Sequence, residues 1–186
     1  MQRQSTAPGQ LSLDAAGNCA DVSRSPFGEQ CHLRVGGTDR AYSIFDYRAP
    51  AGFGPARHKH RFDDEIIHLL EGRIVVWTPE RCFTMANGDM TLLPKGIPHT
   101  WRAYGNEGVH FTVTVVPGGF ERFFSLTEQR GVTTTDHDGL GAAAREAGVD
   151  PIGPPLSDDE MAQIVAGKAR LEADGEAFRS PSRPAP

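Results

Sequence analysis

Eight short runs of strand-forming residues, most of them closed by a turn signal, fill the middle of this chain. They occupy residues 31–35, 42–47, 65–70, 73–78, 81–85, 90–93, 99–104 and 109–116. Glu71-Gly72 and Ala86-Asn87-Gly88 are the clearest turns between them. Many short strands at such spacing predict a β-sandwich or barrel rather than a helical or doubly wound fold. The chain has 186 residues, enough for one domain with extensions. Its 38% of hydrophobic residues can fill one core but not two.

Within that frame two spacings stand out. The first is Gly52-x5-His58-x-His60-x4-Glu65-x6-Gly72. The second is Gly88-x5-Pro94-x-Gly96-x2-His99. His58 and His60 are two apart, so on a strand both imidazoles point to one face. Glu65 heads the apolar run Ile66-Ile67-His68-Leu69-Leu70, and His99 follows a Pro/Gly turn. Four N and O donors converging from two segments suit one divalent first-row metal (Fe, Mn, Ni, Cu or Zn), with positions left open for substrate or water.

These stretches resemble the paired motifs of the cupin superfamily, and residues 30 to 125 look like a single-domain cupin. The second motif departs once, with Ala103 where the family usually has Asn. That Asn is not among the family's metal ligands, so the departure bears on a turn contact. No second copy of the motifs is visible, which predicts one barrel. The resemblance implies a mainly β jelly roll, a double-stranded β-barrel, here with C-terminal helices. Pro117-Gly118-Gly119-Phe120-Glu121 and Gly153-Pro154-Pro155-Leu156 extend the likeness toward the quercetin 2,3-dioxygenase-like group. In that group the residue matching Glu65 is a metal ligand and also a base toward the substrate hydroxyl.

The boundaries expected are a flexible arm over 1–28, a barrel over 29–125, a helical extension over 126–174 and a disordered tail over 175–186. Phe120, Phe123 and Phe124 recur at helical spacing and read as core packing. A second helix is expected over 139–147, ended by Gly148. The Pro-rich stretch 150–156 is expected to be irregular. Ser157-Asp158-Asp159-Glu160 is a capping box for a third helix, with Met161, Ile164, Val165 and Leu171 on its apolar face.

Alternation along the strands assigns the remaining side chains. Ile67 shares the phase of Glu65, and Trp101 that of His99. With Phe111 and Val113 they are expected to wall an apolar, partly aromatic cavity above the metal, suited to a flat small molecule. His68 and His110 are out of phase, and His32 and His137 belong to no motif, so all four read as structural. Asp63 and Asp64 read as solvated turn residues with an outer-shell role open to either. Arg57 and Lys59 are expected to face outward.

The net charge of −5 and pI near 5.8 exclude a basic nucleic-acid footprint. No apolar run approaches membrane-spanning length. The N-terminus lacks a secretory apolar core, and Cys19, Cys31 and Cys82 are odd in number and lack zinc-finger or CxxC spacing, so a cytoplasmic chain with reduced thiols is expected. Ile66, His68 and Leu70 make an outward strand face too apolar for solvent, which predicts a homodimer. The leading functional reading is a metal-dependent, quercetinase-like dioxygenase acting on a small phenolic or enolic compound. A non-oxidative metal-dependent isomerase or polyketide cyclase, and a small-molecule binding or sensing module without turnover, remain open.

Overall fold

The computed structural model describes residues 22–24, 29–36 and 40–177, without the side chains of 22–24 and 168–177. Among the described residues the order is β1 (Val22–Arg24), β2 (Gln30–Val35), β3 (Ser43–Ala49), β4 (Arg57–His60), β5 (Asp64–Glu71), β6 (Ile74–Trp77), β7 (Cys82–Met85), β8 (Met90–Leu93), β9 (Thr100–Ala103) and β10 (Val109–Val116). Then follow α1 (Glu121–Gln129), α2 (His137–Glu146), β11 (Val149–Gly153) and α3 (Asp158–Ala177). The fold is mainly antiparallel β, a single jelly-roll barrel with C-terminal helices, as expected. One wall is the six-stranded sheet β1-β2-β3-β10-β5-β8. Opposite lie β7-β6-β9 and the pair β11-β4.

Period-two alternation produces the core. In β5 Glu65, Ile67 and Leu69 are buried and the residues between them half-buried. In β10 Val109, Phe111, Val113 and Val115 turn inward in the same way. The register sets Val113 opposite Ile67 and Val115 opposite Glu65, so the inward rows of the two strands run side by side. Phe45, Ile74, Val76, Leu93, Trp101 and Ala103 complete this cluster. β6 does not alternate, because it is covered on both faces. Ile74 and Val76 face the barrel core, whereas Val75 packs with Leu156, Met161, Ile164 and Val165 under α3.

Gly72 shows why a motif position that carries no chemistry is still demanding. Its φ is +88°, and a Cβ there would meet Gly108 O at 2.6 Å and Val109 Cγ1 at 2.9 Å. The β5–β6 turn therefore closes only around a glycine.

Several elements differ from expectation. The stretch 150–156 is not irregular throughout: Val149–Gly153 forms β11, antiparallel to β4 with a bulge between Pro151 and Gly153. Among the described residues β11 pairs on one side only, so the missing N–H of Pro151 costs little there. β1 falls inside the segment expected to be an arm, and pairs with β2. Residues 1–21 and 178–186, with Cys19, lie outside the described residues, as does the side chain of Leu171. α2 starts two residues before the expected position, because Asp136 caps it, its Oδ1 accepting from Gly139 N at 2.9 Å. The capping box of α3 forms as expected. Ser157 Oγ accepts from Glu160 N at 3.2 Å, and Glu160 Oε2 accepts from Ser157 N at 2.8 Å. No helix among the described residues is long and apolar enough to cross a membrane.

Candidate metal centre

β4 carries His58 and His60, β5 carries Glu65, and His99 immediately precedes β9. A reciprocal backbone pair brings the two motifs together. His58 N donates to His99 O at 3.0 Å, and His99 N donates to His58 O at 2.8 Å. One ligand atom from each of His58, His60, Glu65 and His99 lies within 4.8 Å of all the others. Three of the four are almost wholly withdrawn from solvent, at 1% for His60, 0% for His99 and 6% for Glu65. His58 is half-buried.

The ring orientations are fixed from behind. His58 Nδ1 lies 2.8 Å from Ala56 O, and His99 Nδ1 lies 2.9 Å from Ile97 O. His60 Nδ1 bonds Asp63 Oδ2. A carbonyl or carboxylate oxygen can only accept, so each Nδ1 carries the hydrogen and each Nε2 presents a lone pair. Nε2 of His60 and of His99 is buried without a hydrogen-bond partner. Both stand near the same acceptor, 3.3 and 3.4 Å from Glu65 Oε2. Lone pairs and a carboxylate converging in a buried place repel one another unless positive charge sits among them. A divalent ion satisfies all of them, and the outer partners on every Nδ1 are those that metal-ligating histidines use. The residues present therefore fit a divalent metal.

The titration behaviour has the same origin. Burial, then the neighbouring His99 and His60, pushes His58 down to about 3, so it is neutral at physiological pH. Burial works against a charged His60, yet the Asp63 carboxylate on its Nδ1 and the Glu65 carboxylate facing its Nε2 outweigh it and hold the ring up to about 9. Burial opposes ionisation of Glu65 too, but His60 and His99 keep its carboxyl well below the usual range. Absent a metal, a proton on His60 supplies the positive charge that the cluster demands.

Asp63 corrects the reading of a solvated turn residue. It is buried, because the β4–β5 turn folds back so that its carboxylate meets His60. Asp64 is half-buried and accepts from Lys95 N at 2.9 Å. Asp63→Asn is expected to weaken metal affinity by roughly 10–100-fold while leaving the four ligands in place. Competition with a chromophoric chelator checks this, and an unchanged affinity would show the bond to be incidental.

Ile67, Trp101, Phe111 and Val113 are brought together, but as close-packed core with exposures of 0, 4, 0 and 7%. Trp101 and Phe111 meet edge to face at 4.9 Å, and Tyr47 stacks on Phe111 at 4.9 Å. A cavity of about 500 Å³ lies elsewhere, lined by Gly52, Phe53, Gly54, Arg102 and residues 155–158. None of the four ligands lines it. Phe120, read from sequence as core packing rather than substrate contact, also touches the site, its ring centre 5.3 Å from that of His60. His68 turns away from the cluster, and His110 Nε2 bonds Asp46 Oδ2 at 3.2 Å on the outer sheet face. Arg57 is not simply outward: it bonds Pro154 O, Pro155 O and Glu160.

Residues 46–116 match the family model of the cupin domain. No curated protein matches the chain. Solved structures resemble it at low identity. KdgF from a Halomonas species is 16% identical with a TM-score of 0.48, covering 53% of this chain and 88% of that one. TT1209 from Thermus thermophilus is 24% identical with a TM-score of 0.45, covering 50% and 87%. A predicted oxalate decarboxylase from Thermotoga maritima is 19% identical with a TM-score of 0.45, covering 48% and 81%. At such values these likenesses bear on neither activity nor substrate.

Proposed function

We propose that this chain, whose barrel matches the cupin domain, is a metal-dependent oxidoreductase that adds dioxygen to a small phenolic or enolic compound. The observation carrying the metal half of the reading is the pair of buried Nε2 atoms, on His60 and His99, aimed without partners at the Glu65 carboxylate. When bound, a redox-active divalent ion supplies Lewis acidity toward a substrate oxygen and a place for dioxygen beside it. The protein does the rest. Glu65, kept ionised by His60 and His99, is available to take the proton of a substrate hydroxyl. Phe120 against His60 gives the site an aromatic neighbour on which a flat ring can pack. Burial of Glu65, His60 and His99 keeps water from competing for the same donors.

Elemental analysis of the purified protein, followed by oxygen uptake with a panel of flavonols and enols, tests the reading. Iron, manganese, nickel or copper with uptake on one of them supports it. Zinc without uptake, but with isomerisation or cyclisation of an enolic substrate, moves the chain to the non-oxidative reading that the same residues would serve. Tight binding without turnover moves it to a binding module.

We also propose that the chain pairs with a second copy through the outer face of its six-stranded sheet. Ile66, His68 and Leu70 are half-buried there, and Met90 and Leu92 on the adjoining β8 are 64 and 52% exposed. Light scattering at micromolar concentration is expected to give twice the chain mass, and Leu92→Lys to return it to one. A monomeric mass for the unaltered protein would refute the pairing.

A further inference from the structure

We propose that residues 149–165 form a strap that positions the ligand strand β4, with the Arg57–Glu160 pair as its latch, so that the start of α3 and metal binding are coupled. The inference rests on reading the His/Glu cluster as a metal site.

β4 is short, and it holds two of the three histidine ligands. One of its edges is fixed by the His58–His99 backbone pair and by Gly96 N donating to His60 O at 2.7 Å. The other edge has β11 as its partner, with Val149 opposite His60 and Pro151 opposite His58. Arg61 N donates to Gly148 O at 2.8 Å at one end of that ladder, and Arg57 N reaches Pro154 O at 3.4 Å at the other. β11 has no second partner strand among the described residues, and Pro151 removes a donor from it. So short a strand holds its place through what flanks it.

The flanking bonds come back to β4 itself. Arg61 Nε pairs with Asp150 at 3.5 Å, and its guanidinium also donates to Arg145 O. Arg57, next to His58, donates to Pro154 O at 2.9 Å and to Glu160 Oε1 at 2.6 Å. Its guanidinium lies 4.8 Å above the Trp77 ring. Glu160 is shared: its other oxygen accepts from Ser157 N at 2.8 Å and from Ser157 Oγ at 3.0 Å, which closes the first turn of α3. That helix start is anchored in turn by Leu156 and Met161 against Val75. A single carboxylate thus joins the helix cap to the residue beside a metal ligand.

Glu160 is half-exposed, and a surface ion pair contributes little by itself. Its effect comes through order. Without the latch, β11 and the outer edge of β4 gain freedom that metal binding must then remove, and coupling of this kind works in both directions. Arg57 and Glu160 are therefore positioning residues rather than ligands.

Cobalt(II) alone serves as the probe, its visible spectrum reporting the ligand geometry. Glu160→Gln and Arg57→Met are each expected to weaken Co²⁺ affinity about 3–10-fold. Asp159→Asn, in the same helical turn, should leave it unchanged. In the unaltered chain, Co²⁺ should slow amide exchange over residues 149–165, a measurement that needs no variant to fold. Unchanged affinity in both variants, or exchange in 149–165 indifferent to Co²⁺, overturns the strap while leaving the metal site standing. An unaltered chain that takes up no Co²⁺ overturns the metal reading and the coupling together.

Discussion

Glu65→Gln is expected to retain the barrel and part of its metal but to lose most of the proposed turnover. The amide has the size of the carboxylate and can still present an oxygen, so the β5–β10 register around it need not move. It cannot take a proton from a substrate hydroxyl, and loss of a general base typically costs ~10²–10⁴-fold in rate. The amide also carries no charge, so His60 and His99 lose the negative charge that each of their Nε2 atoms faces at 3.3 and 3.4 Å. Some loss of metal is therefore built into the variant. The decisive comparison is turnover per bound metal, with ligand affinity measured on the same preparation. A rate that falls only in proportion to metal content would leave Glu65 as a ligand and nothing more.

His99→Ala is expected to abolish stable metal uptake, beyond the roughly 10–100-fold that loss of an outer partner such as Asp63 costs. The barrel should remain, because His99 joins the motifs through its backbone, and alanine keeps both bonds to His58. What alanine removes is an Nε2 donor in a fully buried place and one of the two rings that hold Glu65 ionised. The carboxyl pKa should rise as a result, so the residual site also weakens as pH falls. Metal content by elemental analysis, beside circular dichroism of the same sample, separates a lost ligand from a lost fold. A variant that keeps stoichiometric metal would show that the ion sits elsewhere.

The parts of this molecule legible in its sequence are those governed by local period and fixed spacing. β5 and β10 alternate because one face of each packs on the core, and that pattern places Glu65, Ile67, Phe111 and Val113 inward without a structure. The four ligands are legible for the same reason, since strand geometry and two turns set their directions. The burial of Asp63 is not legible in this way. A carboxylate in a turn is normally solvated, and only the way this turn folds over His60 buries it. β11 is hidden because Pro151, Pro154 and Pro155 argue locally against a strand; its single neighbour β4, distant in sequence, overrides that argument. Phe120 shows a third kind of limit. Its helical spacing with Phe123 and Phe124 signals packing, and it does pack on Phe45 and Phe124. Spacing cannot say that the same ring also meets a histidine of the site.

The inward row of β5 has a consequence for how this chain can vary. Glu65, Ile67 and Leu69 point inward on one strand, so reactive group and hydrophobic filling share one frame. Sliding the whole of β5 by one residue against β10 would turn the carboxylate to the outside and carry Ile66 and Leu70 inward. Hydrophobic matching with β10 could survive such a frameshift, since isoleucine and leucine occupy both rows. The inward carboxylate could not. Register changes in this strand would therefore yield folded proteins that lack the metal site. A library of single-residue insertions scored separately for solubility and for metal content would show where along the chain fold and site part.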